Sequence, residues 1–144
     1  MIKHFDHVTI VVRDVAGATR FFALLGFRVD KSVVISGAKF ARYMGIDDIE
    51  AEHVTLVHES AKPRLEVQIL RYRRPAPRLD PSIARLDKLG FNHVCFTVAD
   101  LAAVLHTLVD GGVTLRNEVM EFHDRKLVFL EGPEGITVEL AQWQ

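Results

Sequence analysis

The sequence predicts an α+β fold of two tandem βαβββ modules in a single domain, residues 1–144. An internal repeat, the same order of strand and helix patterns in both halves, and a proline-rich segment between them support this prediction. Shifting the chain by 86 positions aligns the halves without a gap and leaves seven identities over residues 5–29. Unrelated sequences would share roughly one or two residues there. The identical pairs are Phe5/Phe91, His7/His93, Val8/Val94, Val12/Val98, Asp14/Asp100, Ala16/Ala102 and Gly26/Gly112.

Each repeat opens with a strand that leads into a helix. Residues 5–12 and 91–98 are dense in Val, Ile, Phe and Thr, which favour strands. Apolar residues then recur at helical spacing in both halves, which predicts an amphipathic helix after each strand. An aspartate at each predicted N-cap and a glycine just past each helix end mark the boundaries: Asp14 with Gly26, and Asp100 with Gly112.

Three further strands complete each predicted module. In the first half they are 27–34, 52–59 and 65–72, and in the second half 113–116, 126–130 and 136–142. Module 1 therefore covers residues 1–72 and module 2 covers residues 90–144, with a linker at 73–89.

The linker and one loop carry the least regular patterns. Residues 71–81 hold four arginines and three prolines, a composition that resists helix interiors and central strands. A short helix is expected at 80–89. For residues 36–48 the sequence is compatible with a loop, a helical turn or a flap over a site.

Composition narrows the classes of function. The chain is 49% hydrophobic, which fits a globular core, and its net charge of −1 gives no strong field for nucleic acid or anionic membrane. No run of 18 apolar residues occurs, and polar residues interrupt the N-terminal segment, so neither a membrane span nor a secretory leader is expected. Cys95 is the only cysteine, which excludes an internal disulfide and indicates a reducing compartment, the cytoplasm.

Side-chain alternation divides the first and last strand of each module into two rows. One row is apolar in all four strands and is predicted to meet the helices. The other row mixes one His or Glu with small residues, whereas a solvated face is usually filled with Lys, Glu and Ser. Such rows indicate a lined cavity that binds one divalent cation through nitrogen and oxygen ligands. The predicted ligands are His7, Glu66, His93 and Glu139.

Four segments resemble the vicinal oxygen chelate superfamily, which includes glyoxalase I, methylmalonyl-CoA epimerase, extradiol dioxygenases and bleomycin-binding proteins. They are FDHVTIVV, LEVQIL, FNHVCFTVADL and GPEGITVELAQ, and the resemblance extends over nearly the whole chain. It implies a cupped mixed sheet with helices on its outer face, a small-molecule substrate and a homodimer. The metal would be zinc, nickel, cobalt or manganese.

The resemblance to glyoxalase and epimerase implies a lyase or isomerase that acts on a small carbonyl or thioester compound through a metal-stabilised enolate. Glu139 and Glu66 match the carboxylate that moves the proton, although both are equally well explained as ligands alone. Gln68 would replace Glu66 as ligand if the register were one pair off, but the carboxylate of Glu66 is favoured because it better balances the charge of the cation. His53 is a second acid–base candidate but fits an exposed strand residue better. The alternatives are an iron(II) extradiol-type dioxygenase and a non-catalytic antibiotic-binding protein.

Overall fold

A computed structural model describes residues 1–144 and has an α+β architecture of two four-stranded mixed sheets. The chain divides into two compact units, residues 1–79 and 80–144, so the boundary lies inside the predicted linker. The βαβββ order predicted for each half is present in both units. None of the helices combines the length and the apolar character that a membrane crossing requires.

The first unit contains four strands and two helices. The strand order is β1-β4-β3-β2, with β1 and β4 parallel and the other neighbours antiparallel. The elements are β1 (His7–Val11), α1 (Val15–Ala23), β2 (Phe27–Ser36), α2 (Ala38–Met44), β3 (Glu50–His58) and β4 (Glu66–Arg74).

The second unit repeats this arrangement without a second helix. Its strand order is β5-β8-β7-β6, again with the first pair parallel and the others antiparallel. The elements are β5 (Val94–Thr97), α3 (Leu101–Asp110), β6 (Met120–Phe122), β7 (Arg125–Glu131), a 3₁₀ turn (Pro133–Gly135) and β8 (Thr137–Trp143). The parallel pairing of first and last strand places the two polar rows of each module side by side.

The apolar rows form the core, as their alternation predicts. In the first unit Ile10, Val67 and Ile69 are at most 7% exposed and share their sheet face with α1, whose Phe22 is fully buried. In the second unit Val138 and Leu140 are fully buried, and so is Leu108 of α3. Burying one such side chain contributes about 1.5–3 kcal/mol, so these rows fix which strand face is left for a site.

Both helices that follow the first strands start at the predicted aspartates. Asp14 accepts a hydrogen bond from the Gly17 amide at 2.9 Å, and Asp100 accepts one from the Ala103 amide at 3.0 Å. Each side chain thereby satisfies an amide that has no partner inside its helix.

We expect Asp100→Ala to lower the free energy of unfolding by about 1 kcal/mol, because the alanine leaves that amide without its acceptor. Asp100→Asn keeps a capping oxygen and is expected to stay close to the wild-type value. Urea denaturation followed by circular dichroism measures both, and equal losses in the two variants would contradict the capping role.

Two predicted elements are absent from the structure, and several strand ends differ from their predicted positions by one to three residues. The strand predicted at 113–116 was wrong: only Leu115 forms an isolated bridge, with Leu130, and the strand paired with β7 is β6. The helix expected at 80–89 was also wrong, since this segment forms turns. Residues 36–48 contain α2, and β4 continues to Arg74, two residues beyond its predicted end.

Candidate metal centre

The polar row of the second unit brings two predicted ligands into direct contact. His93 immediately precedes β5, Glu139 lies in the middle of β8, and the distance from His93 Nε2 to Glu139 Oε2 is 2.8 Å. Glu139 is only 9% exposed, and the His93 ring packs edge-on against Phe129 with centroids 5.2 Å apart. Both side chains are therefore held in place by their surroundings rather than free in solvent.

Asn92 fixes which nitrogen of His93 faces Glu139. The Asn92 side-chain amide donates to the Leu86 carbonyl at 2.6 Å, which turns its oxygen Oδ1 toward His93 Nδ1 at 2.7 Å. Because that oxygen only accepts, Nδ1 carries the proton and Nε2 has a free lone pair in the neutral ring. Metal-binding histidines are commonly oriented by such a partner on the other ring nitrogen.

This geometry fits a divalent cation between His93 and Glu139. A neutral Nε2 and a carboxylate oxygen are both acceptors, so their 2.8 Å approach needs a proton or a cation between them. Nitrogen from imidazole and oxygen from carboxylate are a donor set that zinc and its neighbours in the first transition row accept.

Cys95 lies on the same row and pairs with Glu139 across the parallel ladder. Burial, the charge of Glu139 and a hydrogen bond to Glu139 raise the pKa of the Cys95 thiol to about 11, and the charge of Arg125 opposes this rise. The thiol is therefore protonated near neutral pH and acts as a donor toward Glu139, not as a thiolate ligand.

The first unit brings together the other two predicted ligands. His7 pairs with Glu66 across β1 and β4, and Asp6, His7 and Glu66 have ligand atoms within 4.8 Å of one another. Asp6 Oδ1 lies 2.5 Å from His7 Nδ1, so it orients His7 as Asn92 orients His93. The sequence already contained this signal, because residues 6 and 92 precede the two histidines in the repeat.

Glu66 is engaged by other side chains through both of its oxygens. Arg64 Nε donates to Glu66 Oε1 at 2.7 Å, and the Gln68 amide donates to Oε2 at 3.1 Å. The Arg64 hydrogen bond is the main reason that the pKa of Glu66 lies below its ordinary value. Arg64 also donates to Asp30 at 2.8 Å, which fixes the guanidinium beside Glu66.

The strand register identifies Gln68 as the counterpart of Glu139. Gln68 is opposite Thr9 in the first unit, and Glu139 is opposite Cys95 in the second, while Thr9 and Cys95 are equivalent in the repeat. Continuing the second ladder by one residue places Thr137 at the position that Glu66 occupies. Gln68 is thus a second candidate for the oxygen ligand of the first unit.

Gln68 is also the centre of a small hydrogen-bond network. Its Oε1 lies 3.1 Å from His53 Nε2 and accepts from the Thr9 hydroxyl at 3.5 Å, while its amide nitrogen donates to Glu66. The expectation that His53 is an exposed strand residue was wrong, because the side chain is half-buried and belongs to this network.

The combined set of four ligands stays a prediction, since each unit by itself supplies only one part of it. The histidines without a predicted role do not join either part. His106 is exposed on α3, and the His58 ring packs against Phe27 and accepts from the Ser60 amide.

Two βαβββ units, each with an oriented histidine beside an oxygen side chain, define a class of proteins built from paired modules. The chain belongs to the Glyoxalase/Bleomycin resistance protein/Dioxygenase superfamily, whose sequence profile matches residues 4–140. This result confirms the resemblance and the fold class that the sequence predicted.

Three similar proteins share between 13% and 32% of their aligned residues with this chain. A glyoxalase family protein from Bacillus cereus is 26% identical, with a TM-score of 0.88 over 99% of this chain and 95% of that chain. A glyoxalase I mutant from Zea mays shares the fold at 13% identity, with a TM-score of 0.68 over 94% of this chain and 43% of that one. Glyoxalase I of Saccharomyces cerevisiae is 32% identical over 54 residues, which are 38% of this chain and 17% of the yeast protein.

Proposed function

We propose that this protein is a metal-dependent lyase or isomerase that moves a proton next to the carbonyl of a small carbonyl or thioester substrate. The observation that carries the proposal is the contact of His93 Nε2 with Glu139 in the second unit. Membership of a superfamily that contains glyoxalases supports it. The proposed ligands are His7, His93 and Glu139, with a fourth oxygen from Glu66 or Gln68.

A zinc, nickel, cobalt or manganese ion bound there would polarise the substrate carbonyl and stabilise the negative charge that develops as the proton leaves. Asp6 and Asn92 hold the two imidazoles in the tautomer that leaves Nε2 free for the ion.

Glu139 is the proposed general base. Its Oε2 approaches His93, and its further side-chain donor is the neutral Cys95 thiol, a weak donor, whereas Arg64 and Gln68 occupy both oxygens of Glu66. A base needs a free oxygen within hydrogen-bond reach of the proton that it removes. Glu66 remains the second predicted proton carrier, and the arginine beside it makes that role less favourable.

We infer from the strand register that Gln68, rather than Glu66, is the fourth ligand. Gln68→Ala is therefore expected to lower metal affinity at least about tenfold, as loss of a ligand or of its support does in other metal proteins. Glu66→Ala is the matched variant from the same strand and the same row, and less than about threefold loss is expected because Glu66 pairs with Arg64. Competition with a fluorescent zinc chelator measures both affinities. A larger loss of metal affinity in Glu66→Ala than in Gln68→Ala would identify Glu66 as the ligand.

Three assays on metal-reconstituted protein test the reaction itself. Methylglyoxal with a thiol tests the glyoxalase reaction, racemic methylmalonyl-CoA tests epimerisation, and catechol with iron(II) tests ring cleavage. Turnover in either of the first two that depends on added metal supports the proposal. Catechol turnover would favour the extradiol-type dioxygenase, and failure of all three with bound metal would contradict the proposed chemistry.

The second candidate is a protein that binds a small molecule, such as an antibiotic, without catalysis. The superfamily includes bleomycin resistance proteins, which supports this binding function as the alternative. Retention of oriented histidines at both equivalent positions favours catalysis, because a binding cavity alone has no need of a free Nε2.

The proposal also includes a cellular location and an oligomeric state. The single free cysteine suits a reducing compartment, so we propose a cytoplasmic location. We also propose a homodimer, which analytical ultracentrifugation tests directly.

A further inference from the structure

The sheet face that carries Glu139 also carries an arginine for which the proposed chemistry has no use. Arg125 is opposite Trp143 in the ladder of β7 and β8, and Phe129 is opposite Glu139 in the same ladder. Side chains two or four residues apart on a strand share a face, so Arg125, Phe129 and Glu139 lie on one side of the sheet.

Arg125 stacks on an aromatic ring, and its half-exposed side chain leaves the two terminal nitrogens available as donors. Its guanidinium carbon lies 4.6 Å from the Trp143 ring centroid, and its Nε is buried without a hydrogen-bond partner. Its one ion pair is with Asp124 at 3.6 Å, and the Asp124 side chain is 62% exposed. Exposed pairs of this length contribute little, so the charge of Arg125 is poorly compensated.

Three other arginines of the chain are neutralised more closely. Arg64, Arg73 and Arg74 each donate to at least one carboxylate at 3.1 Å or less, and these bonds connect neighbouring strands and loops. A guanidinium held by a ring, with five donors in a planar fork, is instead the form that binds carboxylate or phosphate.

The neighbours of Arg125 on this face are apolar and open to solvent. Phe122 of β6 is opposite Arg125, and Met120 is opposite Leu127. Trp143, Phe122 and Met120 are 54%, 49% and 39% exposed. Large apolar side chains around a cation are typical of a pocket for an organic anion, because they take up the apolar part of the ligand.

The spacing along the strands sets the length of such a ligand. Four residues separate Trp143 from Glu139, which corresponds to about 13 Å at the rise of a β-strand, less the reach of the side chains. Leu127 lies midway between the two positions and is half-buried, and its ladder neighbour Met120 on β6 is 39% exposed.

We propose that Arg125 and Trp143 bind the anionic group, a carboxylate or a phosphate, of a small organic ligand whose apolar segment lies over Leu127 and Met120. The ligand's other end would then reach Glu139, a statement that rests on the proposed function. The substrate class is accordingly a carbonyl compound with a negatively charged group several bonds from the reacting carbonyl.

Trp143 is the only tryptophan, so its emission reports binding at this position. Hexanoate, hexyl phosphate and neutral hexanamide are titrated into the full chain, in metal-loaded and chelator-treated form. We expect a saturable emission change with at least one anion, at a Kd about tenfold or more below that of hexanamide, because the amide lacks the charge-assisted bonds. The stronger of the two anions identifies the group.

Arg125→Gln is expected to remove the preference for the anion. Lys126→Gln is the matched control, since Lys126 is the next residue, points to the opposite face and pairs with Glu121 at 3.5 Å. If circular dichroism shows that Arg125→Gln is unfolded, Arg125→Lys replaces it, with an affinity for the anion expected to fall about threefold because the planar fork is lost.

Equal binding of hexanamide and the anions, absence of a saturable change, or an undiminished preference in the folded Arg125 variant would overturn the proposal. The titration of chelator-treated protein does not depend on metal. These outcomes therefore overturn the anion site without contradicting the proposed metal-dependent reaction. Conversely, failure of metal binding leaves the anion site intact.

Discussion

Glu139→Gln is expected to lower kcat by about 10²- to 10⁴-fold in whichever proton-transfer assay is active, the usual contribution of a general base. The amide has nearly the same shape as the carboxylate but cannot accept the substrate proton. It also loses the negative charge beside His93 Nε2, so weaker metal binding is expected together with the lower rate.

Metal saturation separates the two effects of this substitution. If kcat stays low with saturating metal, the loss belongs to proton transfer, whereas recovery would assign Glu139 to ligation alone. Glu121→Gln is the matched control, because its side chain is 67% exposed on β6 and only pairs with Lys126. A Glu139→Gln variant with more than a third of the wild-type kcat would contradict the proposed base.

Phe22→Ala is expected to cost about 3–5 kcal/mol of folding free energy, the usual range for removing a buried aromatic ring. Phe22 is fully buried in α1 and packs edge-on against Phe21 and Phe27, at centroid distances of 5.1 and 5.8 Å. The cavity would lie between α1 and the apolar row of the first sheet.

Phe5→Ala is the matched control for this prediction. Phe5 is 62% exposed, so the same deletion of a ring there is expected to change stability by less than about 0.5 kcal/mol. Urea unfolding followed by circular dichroism measures both variants. Similar losses in the two would contradict the account of the core.

The repeat and the side-chain alternation together predicted most of the fold. The aspartate caps, helices α1 and α3 and the first strand of each module follow from local patterns that recur after 86 residues, and the last strands follow from the alternation of their own side chains. Strand β6 could not be found in this way, because it is three exposed residues long and follows a segment with better strand propensity at 113–116. Its position depends on pairing with β7, which is a tertiary contact.

The candidate site was predicted in outline but not in its register. Alternation places Glu66 and Gln68 on one face, and only the ladder between β1 and β4 shows which of them matches Glu139. Charge preference favoured Glu66 in the sequence, but Arg64, two residues away and on the same side, occupies that carboxylate. A pairwise contact of this kind has no signature in the composition of a strand.

The most direct test of the central claim is the metal content of protein purified without chelator, compared with His7→Ala and Glu139→Ala variants. We expect a near-stoichiometric divalent ion in the wild type and none in either variant, a result that would assign residues of both units to one ion. Loss in only one variant would contradict the shared site. Absence of metal even after reconstitution would contradict the metal centre itself and favour a small-molecule binding protein.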